Sequence, residues 1–248
     1  MQNIAVILAG GIGARVGGNT PQQLLPLQDG KSVLEHAVDA FEQSPHIHEI
    51  CIVMHPDYIM HAEQMLLANA WQKVRHIIPG GKERWESSVN AIRQLGDEAM
   101  RQLGNAVNLL LHDAARPFVS QEIIARVCEA LKEHEAVTVA IPSTDTVYEM
   151  ADGQVACIPQ RSTIMRAQTP QAFRLDLIAK AYAKAFPHLF TTQLGGKGGG
   201  LSSPLSGGVG GGFPTDDCGI VHEYMPQVPI HIVLGEEQNK KITFKEDI

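Results

Sequence analysis

Apolar and polar positions follow two rhythms along this chain. Ile4–Leu8 is an unbroken aliphatic run, the pattern of a strand buried on both faces of a parallel sheet. Val33–Phe41 changes to helical spacing, with apolar residues at Val33, Leu34, Ala37, Val38 and Phe41. The two rhythms then alternate. Strands are expected at Glu49–His55, Val74–Ile78, Val107–His112, Ala136–Pro142 and Ile230–Leu234. Helices are expected at Tyr58–Asn69, Ser87–Leu95 and Ile123–Glu133. Such a βα series predicts an α/β protein, a Rossmann-like and mostly parallel sheet with helices on both faces.

Two segments leave this rhythm. Thr146–Met150 and Val155–Ile158 flank Ala151-Asp152-Gly153 and read as a β-hairpin with a D-G turn. A hairpin inside a βα series projects from the sheet as an arm, spanning about 143–167, and the same hairpin of a second subunit would cover its apolar side. The other segment, 194–212, is glycine-rich with almost no large side chain. Its composition cannot offset its ordering entropy, so it reads as a disordered insert. The whole chain, 1–248, is expected to be a single domain carrying these two appendages.

Composition narrows the partners. The 248 residues carry a net charge of −7 and no basic run, which argues against nucleic acid. No apolar run approaches the roughly 20 residues that span a bilayer, and no signal peptide precedes the first strand, so the expected location is the cytoplasm. Cys51, Cys128, Cys157 and Cys218 lack any C-x-x-C pairing. Three sit in apolar stretches and read as buried free thiols. His46 and His48 lie between a helix and a strand and read as a surface turn.

The first strand runs into Ala9-Gly10-Gly11, then Gly13 and Arg15, and no secure helix follows before Val33. Glycines there let backbone approach a ligand, and the N–H groups of such a loop make an anion nest. Open α/β sheets bind ligands at this carboxyl edge. Neither the dinucleotide fingerprint nor a Walker A loop fits, because Val16 and Asn19 stand at their diagnostic positions. More chemistry gathers at later strand ends. Gly80-Gly81-Lys82-Glu83-Arg84 with Ser87 offers N–H groups, a hydroxyl and cations at a helix start. His112-Asp113-Ala114-Ala115-Arg116-Pro117 places an acid for a divalent cation or sugar hydroxyl, and a cation for a phosphate. Arg161 lies past the hairpin, before Gln168-Thr169-Pro170-Gln171, and Asn239-Lys240-Lys241-Ile242-Thr243 follows the last strand.

Together these strings, with Thr215-Asp216-Asp217, resemble the IspD-type cytidylyltransferases over nearly the whole chain except the insert. The resemblance implies that Ala9, Gly10, Gly11, Gly13 and Arg15 wrap the triphosphate of CTP. Gly80, Gly81, Arg84 and Ser87 would lie beside cytosine and ribose. Arg116, Thr146, Arg161, Lys241 and Thr243 would serve the acceptor, a small polyol phosphate, with Thr146 and Arg161 supplied by a partner subunit's arm. Asp113 would sit near the acceptor and hold Mg²⁺ or another divalent cation. Arg15, Gln22, Asp113 and Lys241 would form the catalytic set of a homodimer joined through its β-arms.

The implied reaction moves CMP from CTP to 2-C-methyl-D-erythritol 4-phosphate in isoprenoid precursor synthesis, releasing pyrophosphate. D-ribitol 5-phosphate is the alternative acceptor. One position departs from the family: where it has Pro-Lys-Gln, this chain has Pro21-Gln22-Gln23. A CTP-binding protein with weakened catalysis is therefore a further alternative.

Overall fold

A computed structural model describes residues 1–11, 21–102, 107–190, 214–244 and 247. Gly13, Arg15 and the 194–212 insert lie outside these described residues.

β1 (Gln2–Ala9) pairs in parallel with β2 (Glu49–Met54) on one side and with β4 (Val107–Asp113) on the other. β3 (Val74–Pro79) extends the sheet beyond β2. The sheet order is β3-β2-β1-β4-β8-β5-β9, where β5 is Ala136–Pro142, β8 Met165–Arg174 and β9 His231–Leu234. Within this seven-stranded sheet of the described residues, β8 alone runs antiparallel to both its neighbours.

The side-chain period of two sorts β1 cleanly. Ala5, Ile7 and Ala9 face one core with α1 (Val33–Glu42), α2 (Ile59–Asn69) and α4 (Gln121–Ala130). Ile4, Val6 and Leu8 face the other, with α3 (Arg84–Gln102), α5 (Leu175–Ala185) and α7 (Asp217–Tyr224). A short α6 (Pro187–Phe190) follows α5. Helix starts are set by side chains. Ser32 and Glu35 form a reciprocal capping box on α1, and Ser120 caps α4.

The strands expected from the pattern are present, Ala136–Pro142 with the expected bounds and the others with ends shifted by one or two residues, and several segments differ. α3 begins at Arg84 and runs to Gln102, well beyond Ser87–Leu95 at both ends. The helix expected from Tyr58 starts at Ile59, after a 3-10 turn over Pro56–Tyr58. α4 ends at Ala130 rather than Glu133.

The larger correction concerns Gln168-Thr169-Pro170-Gln171, which lies inside β8 near the middle of the sheet rather than at a strand end. Proline removes a ladder donor and is normally excluded there. Here the β5–β8 register skips from Thr138↔Gln171 to Val139↔Gln168, so Thr169 and Pro170 sit in a bulge.

The hairpin forms β6 (Glu149–Ala151) and β7 (Gln154–Cys157), a separate two-stranded sheet. Its turn residues Asp152 and Gly153 both take positive φ, as a D-G turn requires. The arm leaves Val147, Tyr148, Met150, Val155 and Ile158 exposed. Cys51, Cys128 and Cys218 are buried free thiols, and Cys157 is exposed on the arm.

Candidate active site

In the sheet order, β1 is the switch point: β2 and β3 follow on one side, and β4 returns on the other. Ligands of open α/β sheets bind beyond the strand ends at such a point. A cavity of about 250 Å³ opens there. Its walls are Gly10 and Gly11 after β1, Gly81 to Arg84 after β3, Asp113 at the end of β4, Gln22 and Gln23, and Lys241.

Two glycines let the β1 and β3 ends meet. A Cβ on Gly80 would lie 2.9 Å from Gly10 Cα, and one on Gly10 would lie 2.7 Å from Ser87 Oγ. Gln23 fixes the rim, since its Nε2 donates to Ala9 O at 2.7 Å and to Gly11 O at 2.8 Å. The start of α3 differs from expectation. Its N–H groups are already taken, because Gly81 N donates to Ser87 Oγ, and Lys82 N and Glu83 N donate to Glu86 Oε2. With these N–H groups satisfied inside the loop, charge at this edge comes from side chains instead.

Asp113 is the hub of that charge. Arg84 Nε lies 3.0 Å from Oδ1 and Lys241 Nζ 2.7 Å from Oδ2. Burial works to raise the Asp113 pKa, but the Arg84 and Lys241 charges outweigh it and hold the carboxyl well below its usual range. Arg84 also reaches the fully buried Asp217, Nη1 to Oδ2 at 2.8 Å, and Tyr182 OH donates to Asp217 Oδ1 at 2.7 Å. Arg84 is therefore not a solvated helix charge: it is ion-paired at Nε and Nη1, while Nη2 is left without a partner among the described residues and the side chain lines the cavity.

His112 anchors the turn behind Asp113. Asp113 N donates to Thr169 Oγ1, leaving the Thr169 proton for His112 Nδ1 at 3.0 Å. His112 Nε2 then donates to Arg116 O at 2.9 Å, which fixes the neutral Nε2–H tautomer. Burial pushes the His112 pKa down to about 4, against the opposing pull of that carbonyl.

Arg116 lies outside the cavity wall, and its guanidinium donates to Asn239 O and Ala167 O. Thr146 and Arg161 are exposed on the arm and do not line the cavity of their own chain. Thr243 also lies off the wall, its hydroxyl on Lys241 O. Gln22 does line the cavity, but its Nε2 donates to Ile242 O.

Asp217, Tyr182 and Gln23 carry contacts that the sequence did not assign. Asp217 stands in the Thr215-Asp216-Asp217 string, which was a usable signal, whereas Tyr182 reads simply as the apolar face of a helix. Gln171 explains why buried amides recur on β8: its Oε1 accepts from Asp217 N and Cys218 N, and its Nε2 donates to Asp216 Oδ2.

Comparison with known proteins agrees with this geometry. A family model described as IspD, 2-C-methyl-D-erythritol 4-phosphate cytidylyltransferase, matches residues 3–193. A protein of that name from Thermobifida fusca is 40% identical over 249 residues, covering 98% of this chain and 89% of its own. A bifunctional ribulose 5-phosphate reductase/CDP-ribitol pyrophosphorylase from Haemophilus influenzae is 35% identical over 100% of this chain, which spans 47% of that protein. The crystal structure of 4-diphosphocytidyl-2C-methyl-D-erythritol synthase from Anaerococcus prevotii matches with a TM-score of 0.74 at 25% identity, covering 99% of this chain and 92% of that one. With the strand order, the glycine-rimmed cavity and these matches in agreement, the chain belongs to the IspD cytidylyltransferase family.

Proposed function

We propose that this protein transfers CMP from CTP to 2-C-methyl-D-erythritol 4-phosphate and releases pyrophosphate. The observation that carries the reading is the cavity beyond β1 and β4, where Arg84 and Lys241 converge on Asp113 between two glycine turns. An oxygen of the acceptor phosphate attacks the α-phosphorus in line. A new P–O bond forms, the bond to the β-phosphate bridging oxygen breaks, and pyrophosphate carries the electron pair away. Such a transfer needs positioning and charge stabilisation more than a protein nucleophile. Lys241 and Lys82 are exposed cations of the cavity wall, and Asp113 holds the Lys241 ammonium there, where on this reading it faces the α-phosphate. Arg15 and Gly13 act in the triphosphate loop on this reading.

Magnesium fits in a limited way. Asp113 offers one carboxylate with a cation on each oxygen, and no cluster of three acidic or imidazole ligands exists among the described residues. Mg²⁺ commonly takes one or two carboxylates and completes its octahedron with water and substrate phosphates. The residues therefore suit a cation that arrives on the triphosphate, with Asp113 as its protein contact. When bound it offsets negative charge on the phosphates.

The exposed apolar arm supports a homodimer, in which Thr146 and Arg161 of one protomer would join Arg116, Lys241 and Thr243 of the other at its acceptor site. Three buried free thiols suit a reducing cytoplasm. No helix among the described residues is long and apolar enough to cross a membrane.

The Haemophilus relative makes D-ribitol 5-phosphate the second acceptor to test. Purified protein is given CTP, Mg²⁺ and each polyol phosphate in parallel, and pyrophosphate release is followed. Release with 2-C-methyl-D-erythritol 4-phosphate supports the proposal, and release with ribitol phosphate alone replaces it. CTP binding by calorimetry without any release would make the protein a nucleotide-binding module.

A further inference from the structure

Gln22 stands where the family has a lysine, and its side chain is not simply a weaker version of that lysine. It is buried at the start of a 3-10 turn, Gln22–Leu24, and its amide donates across 220 positions of sequence to Ile242 O. Ile242 is gripped from every side. Its N–H donates to Ala115 O at 2.8 Å, and its side chain is fully buried. Two residues earlier in the chain than Lys241, Asn239 Nδ2 donates to Thr169 O and Gln168 Oε1. Lys241 lies between these anchors, and its ammonium reaches Asp113 Oδ2 at 2.7 Å although its side chain is 43% exposed.

A lysine stem is long and flexible, so the placement of its ammonium depends on how firmly its backbone is held. Gln22 supplies the hold from the nucleotide-loop side. Its neighbour Gln23 faces the opposite way and pins Ala9 O and Gly11 O. The pair thus ties the two walls of one cavity, Gln23 the glycine turn and Gln22 the C-terminal segment.

We infer that Gln22 is a positioning residue for Lys241: its amide clamps Ile242 so that the Lys241 ammonium is held at the mouth of the cavity. The inference rests on the CMP-transfer reading for its kinetic consequence. A lysine at position 22 would add charge of its own; a glutamine adds a donor without charge, and the task of facing the α-phosphate falls to Lys241.

A double-mutant cycle with Gln22→Met and Lys241→Ala tests this. Methionine keeps the length of the side chain and removes the donor, with Gln22→Leu as second variant should Gln22→Met fold poorly. Gln22→Met should lower kcat about three- to tenfold, the scale of one neutral hydrogen bond, with the KM for CTP within about twofold. Lys241→Ala should lower kcat about 10²-fold or more. In the Lys241→Ala background, Gln22→Met should then cost less than about twofold, because the residue it positions is gone. Losses that multiply would mean that Gln22 acts on the phosphate itself, and would overturn the inference.

Hydrogen exchange on the ligand-free protein supplies an arm independent of turnover. Residues 239–244 should exchange faster in Gln22→Met than in the parent chain, and unchanged exchange would also overturn the clamp. Should the parent chain release no pyrophosphate, the CMP-transfer reading fails while the exchange result still judges the clamp.

Discussion

Arg84 Nε lies 3.0 Å from Asp113 Oδ1, so this acid of the cavity wall is held by α3, the helix that packs on the same face of the sheet as Leu8, Leu109 and Leu111. The same guanidinium turns back to Asp217, whose side chain has no exposed surface and whose other oxygen takes the Tyr182 hydroxyl. Exposed ion pairs contribute little, because water and salt screen them. Removing one partner of a buried pair is different, since the groups left behind lose that partner without gaining water.

Asp217→Ala should therefore destabilise the protein by roughly 1–3 kcal/mol, the cost of leaving the Tyr182 hydroxyl and Arg84 Nη1 unpaired while Arg84 keeps Asp113 as counter-ion. Tyr182→Phe removes one hydrogen bond to the same carboxylate and should cost about 1 kcal/mol. Urea unfolding at neutral pH measures both. A loss under about 1 kcal/mol for Asp217→Ala would show that Arg84 relaxes into solvent instead.

Acid stability has a distinct window set by His112. Its folded pKa is about 4, against an unfolded value near 6.5, so between these values the unfolded chain binds the proton and the folded chain does not. Stability from this group is present above about pH 6.5 and is lost as pH falls toward 4, up to about 3 kcal/mol in all. Asp113, whose folded pKa is depressed, loses its contribution only below the ordinary carboxylate range. His112→Gln should be less stable than the parent chain at pH 7 but show a flatter decline between pH 6.5 and 4. Parallel slopes in denaturant titrations across that range would remove His112 as the cause.

The path from sequence to structure was clear where one period dominates and obscure where a local rule is overridden. β1 announced itself as an aliphatic run, and the arm by a D-G turn whose two residues do adopt positive φ. β8 hid because Pro170 and buried glutamines contradict the pattern of a central strand. The bulge at Thr169 and Pro170, the hydrogen bond that Gln168 donates to Glu236 O and those that Gln171 accepts from the start of α7 resolve the contradiction only in three dimensions. At the site, the glycine turns, Asp113, Arg84 and Lys241 could be assembled from strand-end chemistry. The pairing of Asp217 with Arg84 and the direction of the Gln22 amide could not, because no local pattern reports which distant group a buried side chain meets.

The arm makes a second functional expectation accessible. Thr146 and Arg161 stand outside the cavity of their own chain, and the Arg161 guanidinium makes a 3.4 Å contact with Thr144 O. If the site is shared across a dimer, Arg161→Ala and Asp113→Asn damage different contributions to it. Each homodimer should be nearly inactive, and mixed, re-equilibrated protein should regain up to about a quarter of the parental activity, since half of the protomers pair with the other variant and one of their two sites is intact. No recovered pyrophosphate release in the mixture, or a monomer by light scattering, would place Arg161 outside the reaction.

The approach of the β1 and β3 ends gives a test of how closely the nucleotide cradle is built. A Cβ added to Gly80 would stand 2.9 Å from Gly10 Cα and 3.0 Å from Ser87 Oγ. Ser87 has a rotamer to give, at the cost of its bond from Gly81 N, but Gly10 Cα is backbone and can move only by shifting the turn. Overpacking of this kind costs about 1–3 kcal/mol. Part of that should appear as displaced Gly10, so Gly80→Ala should weaken CTP binding about tenfold, equivalent to about 1.4 kcal/mol, as read by calorimetry. Gly11 is the internal control for the fold: no atom of the described residues lies within 4 Å of its would-be Cβ, so Gly11→Ala should leave the melting temperature nearly unchanged. Undiminished CTP affinity in Gly80→Ala would show that the triphosphate does not depend on the Gly10 backbone and lies elsewhere along the sheet edge.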